Sequence, residues 1–245
     1  MNTQVKNRLL NNLKKPDSLC KVESKYKCEK CRDLTFIIKD DYAYECECRV
    51  LRQAENILNN SGISEAFRKK TFESFNYSVS IHTVQAFTKA NEYVCNFDNI
   101  KDSRYNSIMF IGAVGSGKTH LSLAIANDLM DKNIGVIYMP YREAITSIKQ
   151  CIMDQENYNR IMDRYKRAKV LLIDDLFKGG ITNSDINIMF EIINYRYFNH
   201  KPMIISSEKT SKELLNIDEA IGSRVIEMSK NYLVDIIGKN LNYRI

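Results

Sequence analysis

Glycine is scarce in this chain: nine residues in 245, where average usage would give about 17. Each glycine therefore carries more positional information than usual. Long apolar runs are lacking too. No stretch approaches the roughly 20 consecutive apolar residues of a membrane span. No apolar run precedes a small-residue cleavage site near the N-terminus, so an exported or membrane protein is not expected. Seven cysteines, an odd number, with no secretory signal do not read as a disulfide framework. A reducing cytoplasm is the expected setting, and there clustered cysteines bind metal more often than they pair. What is present suffices for a packed core: 44% hydrophobic and 27% charged residues, which excludes wholesale disorder.

The formal net charge of +6 is unevenly placed. Residues 6–32 hold nine Lys and Arg against three acids, so the rest of the chain is formally neutral. A basic arm permits contact with nucleic acid or with an acidic protein surface, and fits an ordinary solvated arm equally well.

Three regions separate along the chain. Residues 1–27 are polar and basic, with Val5, Leu9, Leu10 and Leu13 spaced for one short amphipathic helix. Residues 28–48 surround the alternating run Leu34–Ile38, which predicts a small hairpin. Residues 49–60 predict a helix and 61–76 a connector, with Ser61-Gly62 as a breaker. From about residue 77 apolar runs alternate with helical stretches. Strands are expected at Ile108–Ile111, Val136–Met139, Val170–Ile173 and Met203–Ser206, with helices at Lys118–Met130, Tyr141–Lys166 and Ser184–Asn199. Continuous apolar strands alternating with helices predict an α/β fold, a parallel sheet covered on both faces.

Three of the nine glycines fall in Gly112-Ala113-Val114-Gly115-Ser116-Gly117-Lys118-Thr119, followed by His120. This fits G-x-x-x-x-G-K-[ST], a loop whose backbone N–H groups cradle phosphates ahead of a helix N-terminus. Its context is right: an apolar strand before it, an amphipathic helix after it. Lys118 is expected at the β- and γ-phosphates and Thr119 on Mg²⁺. The strand Val170–Ile173 ends in Asp174-Asp175. Asp174 is the expected Mg²⁺ partner, and Asp175 the residue that orients or deprotonates water; Asp175 also fits a plain turn cap. Ser207 and Glu208, at the end of the fourth strand, are candidates for sensing the terminal phosphate, or for an ordinary loop start. Arg224, expected just after a helix-like stretch, and Arg244 are candidate phosphate contacts, an arginine often reaching such a group from a neighbouring subunit.

Cys28-x2-Cys31 and Cys46-x-Cys48 flank the predicted hairpin. Four thiolates converging from a knuckle and a hairpin suit tetrahedral Zn²⁺, which would supply folding energy to a region with little core. Cys20 is an alternative ligand. Cys95 and Cys151 read as isolated core residues.

Taken in order, these residues resemble the DnaC/DnaI-type helicase loaders, especially phage and mobile-element versions, and the related IstB-like transposition ATPases. The resemblance is carried by Cys28–Asp33, Tyr44–Cys48, Ser61-Gly62-Ile63, Thr71–Phe75, the phosphate loop, Asp174-Asp175, Ile192–Tyr197, Gly222-Ser223-Arg224 and Gly238 to Arg244. It implies an AAA+ ATPase core at 71–245 without a separate helical lid, behind a helicase-docking region at 1–70 with a zinc module at 28–48. It implies ATP or ADP with Mg²⁺ as ligands, Arg224 as a finger acting on a neighbour's ATP through self-association, and Arg244 as a sensor. The implied activity is ATP-dependent loading of a hexameric replicative helicase onto single-stranded DNA, in the cytoplasm of a bacterium or phage-infected cell. Hydrolysis would be weak or partner-stimulated. Tyr138, Arg142 and Lys149 are candidate DNA contacts, though a solvated helix face explains them as well. A transposase-assisting ATPase and a P-loop metabolic kinase are the rival readings. Glu208 stands where the loaders commonly carry Asn.

Overall fold

A computed structural model of the chain describes residues 26–39, 42–52, 69–78 and 80–236. By its internal contacts the chain divides into a small unit ending at Cys46 and a large one starting at Glu47.

In the small unit β1 (Phe36–Lys39) pairs antiparallel with β2 (Tyr42–Glu45), Phe36 opposite Glu45 and Lys39 opposite Tyr42. This is the expected hairpin. Below it the Cys46 N–H donates to Thr35 O, and the Leu34 N–H to Cys31 O. The expected N-terminal helix, Cys20 and Arg244 lie outside the described residues. Of the helix expected at 49–60, Cys48–Arg52 is described and helical.

The large unit is built on five parallel strands: β3 (Ile108–Gly112), β4 (Val136–Pro140), β5 (Val170–Asp174), β6 (Met203–Ser207) and β7 (Leu233–Ile236). Their order is β4-β5-β6-β3-β7. Successive side chains on a strand point to opposite faces, so each apolar run feeds two cores. Ile108, Phe110, Val170, Leu172 and Ile204 face α1 (Ile81–Ile100) and α2 (Lys118–Asp131). Met109, Ile111, Leu171, Ile173, Met203 and Ile205 belong to the other core. That core takes in α3 (Tyr141–Gln150), α4 (Gln155–Arg167), α5 (Asn183–Phe198), α6 (Ser211–Ile217) and α7 (Glu219–Met228). A parallel sheet needs both faces covered, and the continuous apolar strands are the sequence form of that requirement.

Beyond the expected set are α7, where the sequence suggested one helix-like stretch ending before Arg224, and two further elements. One is α1, whose start is fixed by a capping box between Ser80 and Thr83. The other is β7, which adds an edge strand beside β3. The helical stretch expected over Tyr141–Lys166 is two helices, broken where Asp154 caps α4.

Arg196 is fully buried. Its guanidinium donates to the carbonyls of Tyr165, Lys166 and Ala168 at the end of α4, at 2.9, 3.1 and 3.0 Å, and to Pro202 at 2.6 Å. It fastens α4 to the entry of β6 and satisfies carbonyls that a helix end leaves unpaired. Cys95 is exposed and Cys151 half-buried, so neither is the core residue that the sequence suggested.

Candidate nucleotide site and cysteine cluster

The strands are parallel, so their C-terminal ends share one edge of the sheet, and the chemistry collects there. β3 runs into the phosphate loop, which ends at Gly117 with φ 88°. A side chain is disfavoured in that left-handed conformation. Gly117 caps α2 without a side-chain hydrogen bond, so the first N–H groups of α2 are left to a ligand, where the helix dipole favours an anion. At the other end of the loop, a Cβ on Gly112 would stand 2.5 Å from Ile236 O. The neighbouring edge strand therefore excludes any larger residue there.

Lys118 is buried. Its Nζ donates to Gly112 O at 2.8 Å and Ala113 O at 2.7 Å, with Ser116 Oγ at 3.5 Å. The ammonium is folded back onto its own loop. Burial lowers its pKa, opposed by Asp175 and Glu208 across the cleft.

Thr119 Oγ1 donates to Asp174 Oδ1 at 2.9 Å. Asp174, buried at the end of β5, also accepts from Ser206 Oγ at 2.5 Å and, on Oδ2, from Tyr138 Oη at 3.1 Å. Burial raises its pKa, and the bonds from Ser206, Thr119 and Tyr138 pull it back. A hydroxyl and a carboxylate in contact at the mouth of a phosphate loop are hard oxygen donors of the kind Mg²⁺ takes alongside phosphates, so these residues fit the ion. The sequence did not single out Ser206. It names Ser207 instead, whose hydroxyl donates to Leu176 O and accepts from the Lys209 N–H. Ser207 serves the backbone, because adjacent strand residues face opposite ways. Tyr138 is buried on Asp174 and is no surface contact for DNA. Lys149 is paired with Asp185 and donates to Thr182 Oγ1.

Asp175 sits just past the strand at φ 57°. Its N–H donates to Ser206 Oγ at 2.8 Å. Its carboxylate pairs with Lys178 at 2.8 Å, and Lys178 also pairs with Glu208 at 2.9 Å.

The phosphate loop and the turns after β5 and β6 line one cleft of about 410 Å³. Its lining is the phosphate loop from Val114 to Thr119 with His120, Asp175, Lys178 and Glu208, together with Lys70, Ser74, Phe75 and Asn76. His120 Nε2 lies 3.0 Å from Thr71 O and 3.1 Å from Ser74 Oγ. Its ring meets Phe75 edge-on at 5.1 Å. Burial lowers its pKa. The segment 69–76, read from sequence as a mere connector, thus supplies part of the cleft.

Arg224 follows α6, as expected, and itself lies within α7. It donates to Ala220 O at 2.8 Å, and its guanidinium sits over the rings of Phe190 and Tyr197 at 5.4 Å each and of Phe198 at 6.0 Å. It is not among the residues lining its own chain's cleft.

The sulfurs of Cys28, Cys31, Cys46 and Cys48 all lie within 4.8 Å of one another. Cys28 Sγ and Cys46 Sγ are 3.7 Å apart. Metal–sulfur bonds of about 2.3 Å give a tetrahedron with edges of about 3.8 Å, so the cluster fits Zn²⁺. The Cys28 N–H is held by Asp33 Oδ1 at 2.9 Å.

The bacterial DnaA ATPase domain profile matches residues 67–229. The chain belongs to that family. Its fold is that of an AAA+ ATPase domain. The phage-like element PBSX protein XkdC of Bacillus subtilis (strain 168) is 39% identical over 235 residues, 91% of this chain and 87% of the relative. The replication initiator DnaA bound to AMPPCP and single-stranded DNA superposes with a TM-score of 0.57 at 27% identity, over 71% of this chain and 51% of that one. The DnaC helicase loader superposes with a TM-score of 0.60 at 20% identity, over 71% of this chain and 99% of that one, a likeness of fold. No helix among the described residues is long and apolar enough to cross a membrane.

Proposed function

We propose that this DnaA-family ATPase is a helicase loader, an ATP-dependent switch that places a hexameric replicative helicase on single-stranded DNA. One observation carries the reading: a ready nucleotide cleft and a four-cysteine cluster in one chain. The first senses nucleotide state; the second, with Zn²⁺ bound, forms a docking module too small to hold itself together otherwise. The ordered residues that resemble those of the loaders point the same way.

In the cleft, the phosphate loop and Lys118 bind the polyphosphate of ATP, Thr119 and Asp174 hold Mg²⁺, and Asp175 orients the attacking water. Phe75 and His120 flank the base. Arg224, turned away from its own cleft, serves the ATP of a neighbouring copy. Hydrolysis then requires assembly, and the nucleotide reports on it. Single-stranded DNA, bound by the related initiator, is the substrate to which the helicase is delivered.

The direct test is co-purification of the full chain with the replicative helicase of its host, in ATP and in ADP. A stable complex in ATP that weakens in ADP is expected. No complex with either nucleotide removes the loader reading.

A further inference from the structure

Lys178 is not accounted for by the phosphate loop, the metal site or the assembly contact. It lines the same cleft as Lys118. Its ammonium lies between two carboxylates from adjacent strand ends, 2.8 Å from Asp175 Oδ2 and 2.9 Å from Glu208 Oε1.

The turn that delivers it is fixed from several sides. Asp175 and Phe177 both adopt left-handed backbone, φ 57° and 59°, which ordinary side chains occupy only when their surroundings hold them there. The surroundings are present. The Asp175 N–H donates to Ser206 Oγ, the Leu176 N–H to Ser206 O, and Ser207 Oγ to Leu176 O. The Lys178 N–H closes the turn on Asp175 O at 3.0 Å. The turn after β5 is thus strapped to the end of β6, and the strap aims one lysine into the cleft.

The charges around it say what it is for. Asp175 and Glu208 line the cleft together with the phosphate loop, and Asp174 is buried beside them on Thr119. Without Lys178, the two carboxylates that line the cleft would oppose a polyphosphate, with Lys118 and Lys70 as the remaining lining lysines. The pairs that hold Lys178 are partly exposed, and such pairs are weak. A phosphate oxygen with its higher charge competes well for the ammonium, and a flexible four-carbon stem lets the charge move a short way without rebuilding the turn.

We propose that Lys178 is a second phosphate-binding cation of this site, held in waiting by Asp175 and Glu208 and transferred to the terminal phosphate of a nucleoside triphosphate. The proposal rests on the nucleotide-site reading. It places triphosphate-over-diphosphate selectivity in Lys178. A diphosphate would leave Lys178 with its two carboxylates.

The test is the affinity of the full chain for Mg²⁺–ADP and Mg²⁺–AMPPNP by titration calorimetry, comparing wild type, Lys178→Ala, Lys178→Arg and Lys118→Ala. Loss of one charge-assisted bond predicts that Lys178→Ala binds AMPPNP about tenfold more weakly, with ADP changed less than about twofold. Lys178→Arg keeps most of the preference. Lys178→Gln, closer in length, repeats the loss if the alanine variant melts early. Wild-type affinities for both nucleotides in Lys178→Ala and Lys178→Gln overturn the proposal, and so does an equal loss for both. Failure of the underlying site reading looks different: Lys118→Ala then keeps both nucleotides.

Discussion

Ser206 Oγ stands 2.5 Å from Asp174 Oδ1 and 2.8 Å from the Asp175 backbone nitrogen. One buried hydroxyl thus donates to the carboxylate proposed for the metal and accepts from the peptide of the residue proposed for the water. Ser206→Ala would leave the Asp175 N–H without its partner and take a donor from Asp174. An orphaned group of this kind costs about 1 to 3 kcal/mol. The expected result is a lower denaturant midpoint together with weaker Mg²⁺–nucleotide binding. An unchanged midpoint and affinity would show that the bridge does not matter.

Arg224 and Lys118 are expected to act on the same ATP from different copies. Lys118→Ala chains keep the arginine and lose the nucleotide; Arg224→Ala chains keep the nucleotide and lose the arginine. Each alone is expected to be inactive as an ATPase. A mixture should recover activity above the sum of the two, because some mixed contacts carry both residues. No recovery at any ratio argues against a shared site.

The cysteine cluster predicts about one Zn²⁺ per chain by elemental analysis. Cys31→Ser and Cys46→Ser, at the two buried members, should lose most of it. Cys95→Ser, at an exposed cysteine outside the cluster, should keep it. Full zinc in Cys31→Ser would remove that residue from the ligand set.

His120 predicts a pH effect whose sign follows from its burial. Its pKa is lowered from the ordinary 6.5, so the unfolded chain takes up the proton first. Its contribution to stability is therefore whole above about pH 6.5 and is lost as the pH falls through that value toward the folded pKa. His120→Asn offers a hydrogen-bonding side chain that does not titrate in this range. Its melting temperature should fall less steeply than that of wild type between about pH 7 and 5.5. Parallel curves would show that His120 does not titrate between the two states.

Arg196 carries a structural prediction. Arg196→Leu keeps an apolar stem and strands the carbonyls of Tyr165, Lys166, Ala168 and Pro202. A loss of at least about 3 kcal/mol is expected in chemical denaturation. A loss under about 1 kcal/mol would mean that water replaces the guanidinium.

The core strands β3 to β6 were legible because a strand buried on both faces reads as an unbroken apolar run. β7 was not: it is four residues long, carries the exposed Asp235 and lies at the sheet edge. α1 hides its packed face in small residues, Ala86 and Ala90, before Tyr93, Val94 and Phe97. The phosphate loop and Asp174 declared themselves by residue type and spacing. Ser206 was readable by strand parity alone: Asp174 lies two residues after Leu172, and Ser206 two after Ile204, with Leu172 and Ile204 on the same face. Lys178, Phe75 and Asn76 reach the cleft from turns, where no periodicity marks a side chain's direction. Arg196 is masonry, a fact of tertiary packing that no local pattern contains.

The contact between Gly112 and Ile236 changes how a familiar kind of experiment reads on this protein. Substituting the first glycine of a phosphate loop is commonly taken to probe the ligand. In this chain the added methyl group would collide with the peptide of the edge strand before any phosphate arrived. The last described strand and the first residue of the loop pair with no room for a side chain at Gly112. A defect at Gly112 therefore reports on that packing as much as on ATP.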